Sequence, residues 1–244
     1  MRCIKKKTNT VTDLNLVIAD TPTELLKNVV KDFEQLVSEV LDSKPVVNIV
    51  LTGGSLGIAF VGELANLNLD LTKVRFLFGD ERFVALDHED RNEQQGIAEF
   101  PELAFRSLLR YPTRSTDLLT AQKLMNKAMK VSYGSVSQST EVFDLVILGV
   151  GSDGHVASLF PGHQSDDKWI TAESASPKPP AERLSLSYKA LNRSNEVWFL
   201  VSGAQKAAVI SSAMNDIDCD LPVAKVKGLQ ATRWYLDKEL SDAL

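Results

Sequence analysis

Asp153 and His155 lie in a glycine-rich segment that directly follows an apolar run, and they are the first candidates for chemistry. Residues 143–162 read FDLVILGVGSDGHVASLFPG, in which the apolar run is typical of a buried strand. The glycines that follow allow a tight turn and the close approach of a ligand. Because a histidine changes charge near neutral pH, we interpret His155 as a candidate general acid or base. The alternative is a hydrogen-bonded imidazole with a structural role.

The stretch 149–154 also matches GxGxxG, the pattern of dinucleotide-binding turns. We discount this match because such a turn opens a long helix, whereas Pro161 and Gly162 interrupt the pattern early. Glu173 lies at the distance expected of a ribose-binding acid, but no clear strand leads to it in the sequence. The pattern therefore does not predict a nicotinamide or flavin site.

Potential metal ligands are scattered along the chain. The three histidines, His88, His155 and His163, do not have the i, i+4 spacing of a helical metal site, and no cysteine lies near them. The two cysteines, Cys3 and Cys219, define neither a disulfide framework nor a zinc pattern. We therefore expect no metal ion, and the cysteine content favours a cytoplasmic protein.

A second candidate for chemistry is the segment Thr52-Gly53-Gly54-Ser55, which separates a predicted strand from a predicted helix. Backbone N–H groups at a helix start bind anions, and Gly53 and Gly54 would let a phosphate approach closely. Ser55 would either donate to a phosphate oxygen or cap the helix, and a plain turn with Ser55 as N-cap is the alternative. The segment is not a P-loop, because the Gly-Lys-Ser/Thr ending is absent.

Three charged residues, Asp80, Glu81 and Arg82, directly follow another apolar run. The functional interpretation puts Arg82 at a crevice, where its guanidinium would hold an oxyanion while Asp80 or Glu81 positions it. The alternative is a solvated loop or a local ion pair.

The remaining candidate cations are Lys178, Arg183 and Lys206. Lys178 and Arg183 belong to a proline-rich loop, which would present a cation with little loss of conformational entropy. Lys206 lies near the start of a predicted helix, where the macrodipole disfavours a cation unless an anion binds there. For either lysine, an ordinary surface charge is the alternative.

Strands and helices alternate along the chain, which predicts a doubly wound, mostly parallel α/β sheet flanked by helices. Ligands of such sheets bind beyond the carboxyl ends of the strands, so the loops at 53–55, 80–82 and 149–155 should meet at one crevice. The region 85–139 is polar and has a helical pattern broken by prolines. The predicted strands are 15–19, 46–51, 74–78, 143–148, 196–201 and 232–235, and the predicted helices begin at Thr21, near Leu56, near Ala204 and at Asp237.

The length of 244 residues, with 44% hydrophobic and 24% charged residues, fits an ordinary globular protein. The net charge of −5 disfavours nucleic acid and anionic membrane as partners. The basic start containing Lys5–Lys7 has no apolar stretch behind it, so we expect a solvated terminus, with no secretory signal and no membrane span. We expect one α/β domain over residues 1–244, and a monomer and a homodimer both remain open.

The chain resembles the 6-phosphogluconolactonase family, within the larger Rossmann-like group that includes glucosamine-6-phosphate deaminase and ribose-5-phosphate isomerase. The resemblance is carried, in order, by LTGGSLG, FLFGDERFVALDHEDRNE, FDLVILGVGSDGHVASLFPG, PKPPAERLSLS and FLVSGAQKA, and by the ending ATRWYLDKEL. In the deaminases the segment corresponding to 143–162 continues towards Asn-Glu-Pro instead. The resemblance implies hydrolysis of 6-phospho-D-glucono-1,5-lactone to 6-phosphogluconate in the oxidative pentose phosphate pathway, without a metal or an organic cofactor.

The resemblance also implies roles for the candidate residues. His155 matches the general base, and Asp153 would orient either its loop or the imidazole. Arg82 and Lys178 match charged positions that line the site, with Asp80 among the substrate-binding residues. The positions expected around the phosphate are matched by Gly53, Gly54, Ser55, Arg183 and Lys206.

The chain departs from the family pattern at two places. The first glycine loop usually continues Ser-Thr-Pro, but here it reads Ser55-Leu56-Gly57, which removes the hydroxyl at position 56. Arg91 stands where a serine usually precedes Asn92, so Arg91 would either add a cation to the site or point to solvent. Two rival functions remain: an isomerase or deaminase of a related sugar phosphate, and a sensor that binds sugar phosphates without turnover.

Overall fold

The computed structural model describes residues 15–105, 107–135 and 141–244. The predictions for Cys3 and Lys5–Lys7 concern residues outside these ranges. Within these ranges, none of the helices has the length and apolar character needed to cross a membrane.

A seven-stranded sheet forms the centre of the fold, and every pair of neighbouring strands in it is parallel. From one edge to the other its strands are β1 (Asn15–Ala19), β10 (Ala231–Asp237), β9 (Ser194–Val201), β6 (Phe143–Gly149), β2 (Val47–Leu51), β3 (Val74–Phe78) and β5 (Ser107–Leu108). The first six residues of β6 are all buried, as expected of a parallel strand that is covered on both faces. The predicted doubly wound, mostly parallel α/β fold is thereby confirmed.

Helices flank this sheet, and two of them begin at the predicted caps. The helices are α1 (Pro22–Ser43), α2 (Gly54–Glu63), α3 (Asn92–Glu99), α4 (Leu118–Tyr133), α5 (Tyr188–Leu191), α6 (Ala207–Asn215) and α7 (Lys238–Ser241). Thr21 caps α1 by accepting the Glu24 N–H at 3.2 Å, and Asp237 caps α7 by accepting the Leu240 N–H at 3.0 Å. The Glu24 carboxylate accepts the N–H of Asp20 at 3.2 Å, so it does not complete a capping box with Thr21, whose own N–H such a box would use.

A second, antiparallel sheet of three strands corrects the prediction of a charged loop at 80–82. It consists of β4 (Asp80–Arg82), β8 (Arg183–Leu186) and β7 (Ile170–Glu173), in that order. Because Arg82 is paired with Arg183 in the register of β4 and β8, two candidate cations become neighbours. A strand does precede Glu173, contrary to expectation, but it belongs to this antiparallel sheet and does not extend the parallel one.

Candidate active site

One cleft of about 700 Å³ lies where the strands β2, β6 and β9 end. The segments that follow these strands line it, together with β4 and the proline-rich loop before β8. Parallel strands deliver their carboxyl ends to one edge, which explains why segments so distant in sequence meet here. Of the predicted site residues, all but Asp153 line the cleft: Gly53, Gly54, Ser55, Asp80, Arg82, His155, Lys178, Arg183 and Lys206.

His155 lines the cleft with its side chain 19% exposed. Its Nδ1 lies 2.5 Å from Oδ1 of Asp153, and the same oxygen accepts the backbone N–H of His155 at 3.2 Å. Asp153 therefore contacts both the imidazole and the turn that carries it. Because Nδ1 is engaged by the carboxylate, Nε2 is the ring nitrogen left for chemistry in the cleft. This is the geometry in which a carboxylate orients an imidazole base.

The electrostatics of the Asp153–His155 pair favour an ionised carboxylate. Burial alone would raise the pKa of Asp153, but its hydrogen bond to His155 and the charge of that ring hold the pKa below its ordinary value. The turn also requires a glycine, since a Cβ on Gly151 would lie 2.1 Å from the imidazole ring. Phe160 packs on the ring as well, with the two ring centroids 4.9 Å apart.

The double-glycine segment forms the start of α2. Gly53 is the N-cap and no side chain caps the helix, so the alternative with Ser55 as N-cap is wrong. Gly54 has φ of +77°, in the left-handed region that favours glycine. The departure at Gly57 has a packing reason, because a Cβ there would lie 2.3 Å from the carbonyl oxygen of Thr52. The N–H groups of the first turn have no partner within the helix and adjoin the cleft, which favours an anion there.

Asp80 is 6% exposed and is held at the cleft by side chains from other segments. Ser158 donates its hydroxyl to Oδ2, and Nη1 of Arg183 lies 3.9 Å from the same oxygen. Asn92 donates Nδ2 to the Asp80 carbonyl at 2.9 Å. Asn92 also lines the cleft, yet nothing in the local pattern singles it out as a site residue.

Glu81 is 1% exposed and supports Arg82 through the backbone. Its carboxylate accepts the N–H groups of Arg82 at 2.8 Å, Asn92 at 2.8 Å and Glu93 at 2.9 Å. Burial raises the pKa of Glu81 to about 7, although the charge of Arg91 acts in the opposite direction. Arg82 in turn donates from Nη1 to the carbonyl of Asp90.

Arg91 lies neither in the cleft nor in solvent, so both expectations for it are wrong. Its side chain is 0% exposed and donates from Nη2 to Glu93 at 2.9 Å and to the Tyr111 carbonyl at 3.1 Å. Removing a guanidinium from water is costly unless carboxylates compensate its charge, and Glu93 and Glu81 do so here. Arg91 is therefore a structural residue behind the site.

The three downstream cations line the same cleft. Arg183 is fixed by the carbonyls of its own loop, donating to Lys178 at 3.1 Å, Pro179 at 3.3 Å and Pro180 at 3.1 Å. Burial lowers the pKa of the Arg183 guanidinium. Burial also lowers the pKa of Lys206, with Asp237 opposing the shift and the charge of Lys178 adding to it. An anion bound here would relieve the repulsion between the two lysines.

Further contacts support the cleft that the sequence patterns do not predict. Thr52 accepts the Gly149 N–H at 3.2 Å, which joins the segments after β2 and β6. Asp237, predicted only as a helix cap, also accepts the hydroxyl of Ser202 at 2.5 Å. Glu239 lines the cleft as well. These contacts join segments that are distant in sequence, so no local sequence pattern predicts them.

Within the part of the chain that the structure describes, no three His, Cys, Asp or Glu side chains are grouped so that they could hold a metal ion. His163, which does not line the cleft, pairs instead with Glu173, with 2.6 Å between Nδ1 and Oε2. The Nδ1 of His88 accepts the N–H of Asp90 at 3.2 Å.

Comparisons with known proteins agree with this fold. Residues 20–234 match the family model described as glucosamine-6-phosphate isomerases/6-phosphogluconolactonase. A 6-phosphogluconolactonase of Mycobacterium leprae is 35% identical over 203 residues, which cover 78% of this chain and 82% of that protein. A probable 6-phosphogluconolactonase 4, chloroplastic, of Oryza sativa subsp. indica is 32% identical over 247 residues, covering 91% of this chain and 74% of that protein. The crystal structure of 6-phosphogluconolactonase from Thermotoga maritima has a TM-score of 0.82 at 25% identity, covering 93% of this chain and 100% of that one.

Proposed function

The chain belongs to the family of glucosamine-6-phosphate isomerases and 6-phosphogluconolactonases, and on that premise we propose that it hydrolyses 6-phospho-D-glucono-1,5-lactone to 6-phospho-D-gluconate, with His155 as the general base. The reaction belongs to the oxidative pentose phosphate pathway. The observation that carries the proposal is the contact of 2.5 Å between His155 and Asp153, at a cleft that cations also line. A hydrolase for a phosphorylated lactone needs both features: a base that takes a proton from water, and cations that bind the phosphate.

In the proposed reaction Nε2 of neutral His155 takes a proton from water as the water oxygen attacks C1 of the lactone. The tetrahedral intermediate then collapses, the bond from C1 to the ring oxygen breaks, and His155 returns the proton to that oxygen. The Asp153 carboxylate stabilises the imidazolium that exists between these two steps. Base assistance of this kind contributes about 10²–10⁴-fold to the rate.

Arg82 is the proposed partner of the oxyanion that develops on the carbonyl oxygen. It lines the cleft from β4, and its backbone is held by the buried Glu81 carboxylate. A guanidinium fixed before the reaction stabilises developing charge without reorganising during it. Asp80, held beside Arg183, is the proposed acceptor for a sugar hydroxyl.

The phosphate of the substrate is the proposed ligand of the remaining cations and of the first turn of α2. Lys206 and Arg183 are the main candidates, Lys178 adds charge from the proline-rich loop, and Gly53–Ser55 supplies backbone N–H groups. The reacting carbon is distant from the phosphate within the substrate, so this contact orients the lactone and takes no part in bond making.

The direct test mixes the purified protein with freshly prepared lactone and follows acid release. We expect release well above the spontaneous rate of ring opening. Ammonia release from glucosamine 6-phosphate would instead assign the chain to the isomerase branch of its family. Binding of both sugar phosphates without turnover would indicate a sensor.

Three further points stay predictions. We infer one catalytic α/β unit over residues 1–244 that acts on a small-molecule substrate and does not bind nucleic acid. We infer that the protein is either a monomer or a homodimer. We infer no metal or organic cofactor. The cytoplasm is the compartment that the cysteine content favours, which fractionation of the source cells would test.

A further inference from the structure

We propose that the ionised carboxylate of Glu81 is a positioning residue for the cleft, holding Arg82 and Asn92 in the arrangement that the reaction uses. The inference deepens the proposed lactone hydrolysis and rests on it. Glu81 itself does not line the cleft, so its effect must pass through the two residues it holds.

The contacts of Glu81 bridge two elements that are distant in sequence. Its Oε1 accepts N–H groups from Arg82 in β4 and from Asn92 in α3, both at 2.8 Å. Its Oε2 accepts the next N–H of α3, that of Glu93, at 2.9 Å. One buried carboxylate thus caps α3 and fixes that helix to the strand carrying Arg82.

Asn92 extends this arrangement to the double-glycine segment. Its Nδ2 donates to the carbonyl of Asp80 at 2.9 Å and lies 3.3 Å from the Asp80 carboxylate. On the other side, a Cβ on Gly53 would lie 2.1 Å from Oδ1 of Asn92, so the amide packs directly on that glycine. Displacement of Asn92 would therefore disturb Asp80 and the proposed phosphate-binding turn together.

The charges around Glu81 explain why its protonation state matters. The charged and titratable groups that act on it are Arg91 and Glu93 at the start of α3, Arg183 on β8 and the hydroxyl of Tyr111. Burial raises the pKa of Glu81 to about 7, so the carboxylate loses its proton across the neutral range. The protonated acid is a poorer acceptor for N–H groups, and its hydroxyl would oppose one of them.

The experiment compares Glu81→Gln with Glu93→Gln as the matched control. Glu93 is as buried as Glu81, and its carboxylate contacts Arg91, Tyr111 and Arg110, none of which lines the cleft. At pH 8, Glu81→Gln should lower kcat/KM for the lactone by up to about 100-fold, the cost of a misplacement of about 1 Å. It should also weaken the binding of 6-phosphogluconate measured by calorimetry. Glu93→Gln should match the wild type in both measurements at this pH.

The pH dependence separates positioning from a general loss of stability. The ratio of kcat/KM between wild type and Glu81→Gln should rise with a midpoint near pH 7, from about one tenth of its plateau at pH 6 to the plateau above about pH 8, because protonated Glu81 resembles glutamine. A ratio that stays constant from pH 6 to pH 8 would overturn the proposal. So would equal kcat/KM and equal 6-phosphogluconate affinity in wild type and Glu81→Gln.

A measurement on the wild type covers the case in which Glu81→Gln does not fold. The side-chain amide signals of Asn92 in a nitrogen–proton NMR spectrum should shift with a midpoint near pH 7, and signals that do not move would overturn the proposal. Failure of this proposal can be distinguished from failure of the proposed function. If the wild type did not hydrolyse the lactone, the role of Glu81 could still be measured through the affinity for 6-phosphogluconate and through the Asn92 signals.

Discussion

Replacing Asp153 with asparagine tests whether a carboxylate supports the imidazole of His155. Asparagine keeps an oxygen for the backbone N–H of His155, so the turn should survive, but it removes the negative charge beside Nδ1. A hydrogen bond to a charged group contributes about 1.5–3 kcal/mol. The Asp153 side chain is 39% exposed, so we halve this contribution for solvent screening, to about 0.75–1.5 kcal/mol. With about 1.4 kcal/mol for each tenfold change in rate, kcat should fall roughly 3- to 12-fold.

The assay is steady-state hydrolysis of freshly prepared lactone at pH 8, corrected for spontaneous ring opening. KM should stay close to the wild-type value, because Asp153 does not line the cleft. Asp167→Asn is the control for a simple change of net charge, since the Asp167 side chain is 95% exposed. An unchanged kcat in Asp153→Asn would refute the reasoning that the carboxylate assists the base.

Four other substitutions test the phosphate site, the turn and the buried carboxylate. Lys206→Ala and Arg183→Ala should each raise KM severalfold with a smaller effect on kcat, and steady-state kinetics with unchanged KM in both would remove them from the phosphate site. Gly151→Ala should leave the circular dichroism spectrum intact but lower kcat, because its Cβ would lie 2.1 Å from the His155 ring; wild-type turnover would contradict the tight fit. The pKa of Glu81 is raised from 4.5 to about 7, so the folded state binds the proton of Glu81 more tightly than the unfolded state does. Protonated Glu81 therefore stabilises the folded state below about pH 4.5, and this stabilisation is lost as the pH rises to about 7. The difference in unfolding free energy between wild type and Glu81→Gln, from denaturant titrations, should therefore shift by about 3 kcal/mol against the wild type across this range, and a constant difference would contradict the buried-carboxylate account.

The parallel sheet could be predicted because most of its strands have a recognisable apolar pattern in the local sequence. Runs such as Val74–Phe78 and Phe143–Gly149 are nearly continuous in apolar residues, as strands covered on both faces must be. The caps Thr21 and Asp237 are equally local, since each side chain bonds an N–H three residues further on. The alternation of these strands with helices indicates parallel neighbours, which is why the fold class could be derived from patterns alone.

The antiparallel sheet could not be predicted from local patterns. Asp80, Glu81 and Arg82 are poor strand formers, and their partner strand Arg183–Leu186 lies about a hundred residues further along the chain. The charged tripeptide forms strand β4 because of this long-range pairing. The same pairing brings Arg82 beside Arg183, so the arrangement of cations in the cleft depends on it.

The burial of the Arg91 side chain could not be predicted from the local sequence either. An arginine in a polar segment is ordinarily solvated, and its burial depends on Glu93 and on Glu81 from another element. Asn92 belongs to a segment that carries the family resemblance, but its role could not be predicted, because that role comes from packing on Gly53 and bonding to Asp80 and not from its neighbours in sequence. Sequence patterns thus identify residues that could do chemistry more readily than residues that hold them in position.

The most direct test of the central claim is the turnover of His155→Ala on fresh lactone. Loss of the base should lower kcat by about 10²–10⁴-fold, while the affinity for 6-phosphogluconate and the unfolding midpoint stay near the wild-type values. His163→Gln, which alters a histidine that pairs with Glu173 and does not line the cleft, should retain activity. Wild-type turnover by a folded His155→Ala variant would contradict the assignment of His155 as the base that activates water.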